Sequence, residues 1–298
     1  MAVRTPLAEQ LFSSHLLSQL ERQSFISKRT FLGRVKGERK SPRKGISPEF
    51  SDYRPYEIGD DLRYVDWNVF GRLDRLYLKL FVEEEDLCVH LLLDASASMG
   101  FGSPSKLQYA LRLVAALGFI GLVGLERVGV GIARDRVVEG WSPTRGRNQF
   151  LPLIEFLGGV IPRGVTDLNG ALRDYAVRAR DPGLAIIVSD LMDPAGFTMG
   201  IRAFLERRFD VHVIQLLSPD EIEPGYRGDL RLVDAESGEF REVTLDGETL
   251  KAYRQRLHQF LDQCEATCRV NKIVYHRALT TEPMEDLVLR RLKGSLLQ

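Results

Sequence analysis

Cysteine is scarce in this chain of 298 residues, in which Cys88, Cys264 and Cys268 are the only three. An odd number without the spacing of a disulfide framework excludes a stapled secreted scaffold and indicates a reducing compartment. Cys264 and Cys268 fall one helical turn apart, but no histidine spacing in the sequence completes a zinc motif. We therefore expect buried thiols at all three positions.

Net charge is also absent, because 41 Lys and Arg residues balance 41 Asp and Glu residues. Overall charge therefore points to no nucleic-acid or membrane partner. The longest apolar run, residues 113–125, is shorter than the ~20 residues that span a bilayer, and the N-terminus lacks the apolar core of a signal peptide. We expect a cytoplasmic protein without a membrane span.

Several common catalytic motifs are missing as well. No nucleophile elbow of the form G-x-S-x-G occurs. The stretch GFGSPSK, residues 100–106, ends in a lysine but lacks the glycine that precedes it in a P-loop. GVGIAR, residues 129–134, has Arg134 in place of the third glycine of a dinucleotide fingerprint, and it lies within a predicted strand. The sequence therefore favours neither a serine hydrolase nor a nucleotide-binding enzyme.

The chain does contain an alternation of strands and helices from residue 87 onwards. LCVHLLLD, residues 87–94, is a near-continuous apolar strand of the kind that is buried on both faces. Helices are predicted at 105–124 and 168–180, a further apolar strand at 184–190, and a hairpin in LRLVDAESGEFREVTL. This pattern predicts an α/β fold with a mostly parallel sheet flanked by helices and a β-hairpin insertion.

Composition divides the chain into three regions. Residues 1–48 comprise a predicted amphipathic helix at 7–22 and a basic arm, with eight Lys and Arg residues in positions 28–44. Residues 49–86 are rich in aromatic and acidic side chains, and we expect them to pack on the main domain. Residues 87–298 form the predicted α/β domain, to which the first region is an N-terminal extension.

Oxygen-bearing side chains mark the ends of two predicted strands and the start of one helix. Asp94 ends the strand in LLLDASAS, and Ser96 and Ser98 follow at alternate positions. Asp190 ends a second strand, and Thr166 immediately precedes a helix. Ligands of open α/β sheets bind at the carboxyl ends of the strands, so these segments are expected to meet there. Two carboxylates and three hydroxyls suit a hard divalent cation, Mg²⁺ or Mn²⁺.

Three other interpretations remain open at this point. Asp94 and the serines could only shape a turn and cap the following helix. The same oxygens could serve a Mg²⁺-dependent phosphohydrolase, although position 96 is a serine where a second acid is usual and no histidine falls in the site segments. The basic arm could bind nucleic acid electrostatically, although we expect no sequence-specific recognition.

The set Asp94, Ser96, Ser98, Thr166 and Asp190 resembles the metal-ion-dependent adhesion site of von Willebrand factor type A domains. The preceding segment, which contains GDDLRYVDW, together with the DASAS strand resembles the bacterial family called domain of unknown function 58. The resemblance covers roughly residues 40–298. It implies a von Willebrand type A-like, Rossmann-like fold with a metal site. Because three of the five proposed ligands are neutral hydroxyls, the ion keeps positive charge, and we expect a protein partner to donate an Asp or Glu side chain to it.

The same resemblance implies a MoxR-type AAA+ ATPase as the partner and a role in protein or complex maturation. On this basis we expect a non-enzymatic, metal-dependent interaction module. The acids of GDDLRYVDW, at residues 59–67, are expected to form internal ion pairs within an aromatic anchor, the alternative being a functional surface. Asp167 and Asp193 are expected to cap helices rather than to contact the ion.

Overall fold

Residues 12–26, 49–82, 87–134, 137–165 and 167–298 are described by the computed structural model. They divide into two units, a larger one of residues 12–26 with 87–298 and a smaller one within residues 49–82. The basic arm at 28–44, the first part of the predicted helix at 7–22 and Thr166 lie outside the described residues.

The strands and helices are numbered in chain order. The strands are β1 (Glu49–Pro55), β2 (Tyr77–Val82), β3 (Cys88–Asp94), β4 (Arg127–Arg134), β5 (Val137–Thr144), β6 (Leu184–Ser189), β7 (Asp210–Leu217), β8 (Gly228–Val233), β9 (Phe240–Leu245) and β10 (Val274–Leu279). The longer helices are α1 (Ser14–Leu20), α2 (Trp67–Leu73), α3 (Lys106–Val123), α4 (Phe150–Gly158), α5 (Leu168–Arg178), α6 (Thr198–Glu206) and α7 (Gly247–Val270). Short helical turns lie at Ala97–Gly100, Pro219–Ile222, Met284–Asp286 and Leu287–Arg291.

A central sheet organises the larger unit, with the strand order β10-β7-β6-β3-β4-β5. Neighbouring strands run parallel from β10 to β4, and β5 pairs with β4 in the antiparallel sense. The predicted mostly parallel α/β sheet flanked by helices is thus confirmed. The order places β3 next to β6, so that the carboxyl ends of these two strands are adjacent.

Strand β3 lies inside the sheet, between β6 and β4, and every one of its residues is buried. Leu92 is level with Gly131 of β4 on one side and with Ile187 of β6 on the other. A strand with partners on both edges and helices on both faces needs apolar side chains at nearly every position, which explains the run CVHLLL.

Helices cover both faces of the sheet. On one face, α3 packs over β3, and a Cβ atom at Gly118 would lie 2.5 Å from Leu153 Cδ2, so glycine there allows α3 and α4 to approach closely. On the other face, residues of α5, α6 and α7 form an apolar cluster with Leu92 and Ile187. The larger unit is therefore a sheet between two helical layers.

Helix α3 contains most of the long apolar run at 113–125. It is the one helix in the described part of the chain that is long and apolar enough to cross a membrane, but 78% of it is buried inside the unit. Its N-cap is Ser105, whose Oγ accepts a hydrogen bond from Gln108 N. The helix predicted at 105–124 is therefore confirmed, and it is buried in the core.

The predicted buried thiols are also confirmed. Cys88, Cys264 and Cys268 are at most 2% exposed and none of them forms a disulfide. Burial raises the pKa of Cys264 to about 11 and that of Cys268 to about 12, so both remain protonated at neutral pH.

Helix α1 belongs to the larger unit, whereas the sequence separated residues 1–48 from 87–298. Backbone hydrogen bonds join the segment that follows it to the C-terminus, from Ser24 N to Gln298 O and from Ile26 N to Leu296 O. Phe12 and Leu16 are buried. A segment at one end of the sequence is thus held by the other end, which a sequence pattern cannot show.

The smaller unit consists of the antiparallel pair β1–β2 and helix α2. Strand β2 follows the alternating pattern of LYLKLFV, whereas no pattern in the sequence predicted β1 or α2. Asp66 caps α2 by accepting hydrogen bonds from the backbone N–H groups of Asn68 and Val69. The short length of both elements explains why their periodicity was too weak to predict them.

Candidate metal centre

The candidate centre lies at the carboxyl ends of β3 and β6. Asp94 is the last residue of β3, and Asp190 follows Ser189, the last residue of β6. Their exposed fractions are 3% and 1%. Because β3 and β6 are parallel neighbours, the fold brings together two acids that are 96 positions apart, as the sequence predicted.

A chain of hydroxyl groups links the DASAS loop to Asp190. Ser96 Oγ lies 3.1 Å from Ser98 Oγ, and Ser98 Oγ donates a hydrogen bond of 3.0 Å to Asp190 Oδ2. Oxygen atoms that share one Mg²⁺ in octahedral geometry are about 3 Å apart along an edge, since each bond is roughly 2.1 Å. The two separations, 3.1 Å and 3.0 Å, are those of hydrogen bonds and also match such an edge, so these neighbouring oxygens need little movement to share a hard cation.

Asp94 is held by two hydrogen bonds within the loop and the sheet. Its Oδ1 accepts from Ser96 N at 3.0 Å, and its Oδ2 accepts from Ser189 Oγ at 2.6 Å. Burial, with a further contribution from the charge of Asp190, raises the pKa of Asp94. A bound cation would favour the ionised carboxylate, the form that a metal ligand must take.

The loop that contains Thr166 runs beside the DASAS loop. Arg163 N donates to Ala95 O at 3.0 Å, and Ala97 N donates to Gly164 O at 3.2 Å. These backbone hydrogen bonds bring the third predicted segment to the same edge. Thr166 itself lies outside the described residues, so its part in the centre stays a prediction.

Asp167 and Asp193 act as helix caps, as expected. Asp167 Oδ1 accepts from Gly170 N in the first turn of α5. Asp193 Oδ2 accepts from Leu168 N, the first residue of the same helix, and its Oδ1 accepts from Ala195 N. With their oxygens used in this way, these acids hold the loops beside the centre.

Of the alternative in which the DASAS loop only shapes a turn and caps a helix, the turn is present, because Ser96 N donates to Asp94 Oδ1, but the helix cap is not. The N-cap of α3 is Ser105, and the short turn Ala97–Gly100 begins after Ser96 without a side-chain cap from it. The hydroxyls of Ser96 and Ser98 instead point to one another and to Asp190.

Sequence reasoning did not assign Lys106 and Glu221 to the centre. Lys106, the first residue of α3, is fully buried, and its Nζ donates to Asp190 Oδ2 at 2.6 Å and to Glu221 Oε1 at 2.5 Å. Burial lowers the pKa of Lys106, but the two carboxylates outweigh it and the net shift is upward, so the ammonium stays charged. A lysine in the first turn of a predicted helix is unfavourable for the helix dipole, and this could have indicated a special role for Lys106. No feature of the sequence indicated a role for Glu221.

The donor set suits a cation with mixed ligands. Among the described residues, no three His, Cys, Asp or Glu side chains lie close enough to hold a metal ion by themselves. A cation here would use Asp94 and Asp190 together with serine hydroxyls and water. Oxygen donors of this kind match Mg²⁺ or Mn²⁺ and not the nitrogen and sulfur ligands that zinc prefers.

Comparison with known sequences identifies the family. The sequence profile described as "Protein of unknown function DUF58" matches residues 52–261. The chain belongs to this family. The resemblance inferred from the sequence is thereby confirmed.

Two mycobacterial relatives of this DUF58 chain are uncharacterized proteins, Rv1480 of Mycobacterium tuberculosis strain H37Rv and Mb1516 of Mycobacterium bovis. Each is 31% identical to this chain over 207 residues, which cover 68% of this chain and 65% of the relative. The chain thus spans 65% of the length of these relatives.

Solved structures similar to this DUF58 chain include the conserved hypothetical protein BatB from Bacteroides thetaiotaomicron, with a TM-score of 0.44 and 16% identity over 69% of this chain and 97% of BatB. The VWA domain of SpRpn10 gives a TM-score of 0.38 and 12% identity over 68% of this chain and 94% of that domain. Both scores are below 0.5, and the strand order β10-β7-β6-β3-β4-β5 by itself defines the fold of the larger unit.

The DUF58 match includes the GDDLRYVDW segment, which lies in the smaller unit. Asp60 accepts two hydrogen bonds of 2.7 Å from the guanidinium of Arg54, and Asp61 pairs with Arg63. Asp66 accepts a hydrogen bond of 2.7 Å from Tyr53. The expected internal ion pairs are therefore present.

Aromatic burial in the segment is smaller than expected. Trp67 is 58% exposed, and Tyr53, Tyr64 and Phe70 also expose more than a third of their surface. The role of the segment as an anchor on the main domain stays a prediction.

Proposed function

We propose that the chain is a metal-dependent protein–protein interaction module whose cation binds at Asp94, Ser96, Ser98, Thr166 and Asp190. The observation that carries the proposal is the convergence of Ser96 Oγ, Ser98 Oγ and Asp190 Oδ2 at the adjacent carboxyl ends of β3 and β6, where successive oxygens lie 3.1 Å and 3.0 Å apart. Membership of the DUF58 family and the mostly parallel sheet support it.

The partner is proposed to donate an Asp or Glu side chain to the metal. Serine hydroxyls are neutral ligands, so they leave the cation with positive charge and an attraction for an external carboxylate. Ser98 is only half-buried, and it reaches the surface from which such a side chain would approach. Losing one member of a desolvated charge pair costs about 2–5 kcal/mol, so the contact would contribute a large part of the affinity.

A MoxR-type AAA+ ATPase is the partner we propose, with a role in the maturation of proteins or complexes in the cytoplasm. Support for this comes from the family resemblance.

We propose further that the centre binds and does not catalyse. Position 96 is a serine where a phosphoryl-transfer enzyme would have a second acid. His90, which lies on β3 four residues before Asp94, engages Tyr175 OH and Asp181 O with its two ring nitrogens and is therefore not poised as a base. We expect no hydrolysis of generic phosphoesters above background with Mg²⁺; activity lost in both Asp94→Asn and Asp190→Asn would contradict this.

The interaction is tested by measuring the affinity of the chain for the ATPase with Mg²⁺, with EDTA, and with the variant Ser96→Ala/Ser98→Ala. We expect the complex to weaken at least about tenfold in the last two samples. The control is Ser18→Ala/Ser142→Ala, which removes two exposed hydroxyls far along the chain from the centre. A complex indifferent to both EDTA and the double substitution would contradict the proposed use of the site.

A further inference from the structure

The strongest unexplained feature of the molecule is the buried ammonium of Lys106 beside the candidate metal centre. Lysine is almost never fully buried unless it is paired, and here it is paired twice, with Asp190 and with Glu221. Its place at the first position of α3 sets its charge against the positive end of the helix dipole. Helix formation therefore gives no reason for a lysine at this position, whereas the two carboxylates do.

The charges around Lys106 do not balance. Asp94, Asp190 and Glu221 are three buried or nearly buried acids, and Lys106 is the one cation that pairs with any of them among the described residues. When all three acids are ionised, two negative charges are left without a counter-charge among the described side chains, which equals the charge of one divalent cation. Buried ions are stable only when they are compensated, so the cluster is suited to take up such a cation.

Lys106 also competes with that cation. Asp190 Oδ2 accepts hydrogen bonds both from Lys106 Nζ and from Ser98 Oγ, and Ser98 is one of the proposed ligands. A positive charge on the same carboxylate oxygen reduces what that oxygen can offer to a metal, and it repels the metal directly. Glu221 has the opposite effect, because it shares the ammonium and draws part of its charge away from Asp190.

Glu221 is itself held firmly in place. Its Oε2 accepts a hydrogen bond of 2.7 Å from Ser218 N, and its backbone oxygen accepts one from Tyr253 OH of α7. The turn Pro219–Ile222 follows the carboxyl end of β7, at the same edge of the sheet as Asp94 and Asp190. Glu221 is thus a fixed second acceptor that holds the ammonium beside Asp190.

We infer that Lys106, positioned by Glu221, is the resident counter-cation of the metal centre: it keeps Asp190 in place when no metal is bound and lowers the affinity of the site for divalent cations. The inference rests on the proposed function because it concerns the regulation of the same centre. A site that is stable when empty and binds its cation with reduced affinity can respond to the cation concentration or to a carboxylate brought by a partner.

Two substitutions separate this role from a purely structural ion pair. Lys106→Met keeps the length of the side chain and removes the charge, and Glu221→Gln keeps the shape and removes the opposing charge. Lys251→Met, on the exposed surface of α7, is the matched control. For each protein we would titrate Mn²⁺ by calorimetry and record the melting temperature in EDTA and in saturating Mn²⁺.

For Lys106→Met, we expect Mn²⁺ to bind at least about tenfold more tightly than to wild type, because one repelling charge is gone. In EDTA the variant should melt at least about 5 °C lower, since it leaves buried carboxylates uncompensated. Mn²⁺ should then raise its melting temperature by more than it raises that of wild type.

For Glu221→Gln, we expect Mn²⁺ to bind at least about fivefold more weakly, because Asp190 then bears the whole ammonium charge. Glu221→Gln still tests the inference if Lys106→Met does not fold. Lys251→Met should match wild type in both measurements.

The outcomes distinguish the inference from the proposed function. If wild type binds Mn²⁺ and both variants bind it with wild-type affinity, the inference is wrong and the metal-dependent function stands. If wild type binds no Mn²⁺ but Lys106→Met does, Lys106 is the counter-cation and the metal-dependent function of the natural chain is wrong. If neither wild type nor either variant binds Mn²⁺, the inference and the proposed metal-dependent function are both wrong.

Discussion

Acidic residues gather in two places in this chain, and their surroundings are opposite. In the smaller unit, Asp60 and Asp61 each have an arginine partner and remain partly exposed. In the larger unit, Asp94 and Asp190 are at most 3% exposed, and Lys106 is shared between Asp190 and Glu221.

The difference shows how burial and charge balance assign different roles to the same residue type. Exposed pairs are screened by water and contribute little to stability, so the acids of the smaller unit serve local structure. Buried acids with too few counter-charges are costly unless another cation compensates them. In the larger unit, the buried or nearly buried acids Asp94, Asp190 and Glu221 thus share Lys106 as the single cation among the described residues, whereas Asp60 and Asp61 of the smaller unit each pair with an arginine.

The largest expected effect comes from removing one buried acid. Asp94→Ala should weaken Mn²⁺ binding by at least about 100-fold, because loss of a ligand costs more than loss of an outer-shell partner. The fold should survive, since the sheet and its two helical layers do not depend on the ion. Calorimetric titration with Mn²⁺ and a circular dichroism melt measure the two quantities. Equal Mn²⁺ binding by the variant and by wild type would contradict the distinct role that we assign to the buried acids of the larger unit.

A second prediction separates burial from charge imbalance within the larger unit. His90 is buried against Tyr175, with the mutually paired Arg127 and Asp181 nearby, and burial lowers its pKa to about 4. The unfolded chain takes up a proton as the pH falls through about 6.5, whereas the folded chain does not until about 4. The contribution of His90 to stability is thus fully present above about pH 6.5 and is lost as the pH falls.

Between pH 7 and pH 5, His90 should account for a loss of about 2 kcal/mol in the free energy of unfolding. The variant His90→Gln should show a flatter dependence on pH in urea unfolding, whatever its absolute stability. His258→Gln, at an exposed position of α7, is the control and should keep the wild-type dependence. A slope unchanged by His90→Gln would show that burial of this group is not what sets the acid sensitivity.

The smallest effect is expected in the smaller unit. Asp61→Ala removes an exposed pair with Arg63, whose side chain is 70% accessible. We expect no resolvable change in melting temperature and no change in Mn²⁺ affinity, because water already screens this contact. A change in Mn²⁺ affinity comparable to that of Asp94→Ala would show that the two acid groups are coupled.

The sequence by itself determined the class of fold and most of the candidate centre. The run CVHLLL is apolar at every position except His90, and such a strand is stable only inside a sheet covered on both faces. Once β3 and β6 are parallel strands, their final residues Asp94 and Asp190 must lie at the same edge. Local patterns were enough to predict the fold class and the meeting of these two acids, because both depend on the period of the apolar residues and on the direction of the strands.

Only the tertiary structure decided which groups balance those acids. Lys106 is 84 positions from Asp190 and 115 from Glu221, and no periodic pattern connects them. Ser189, whose hydroxyl holds Asp94, resembled any other residue of a buried strand. Ion pairs between distant segments depend on distances and on exclusion of water, which exist only after the helices have packed on the sheet, so the charge balance of the centre belongs to the fold and not to any local motif.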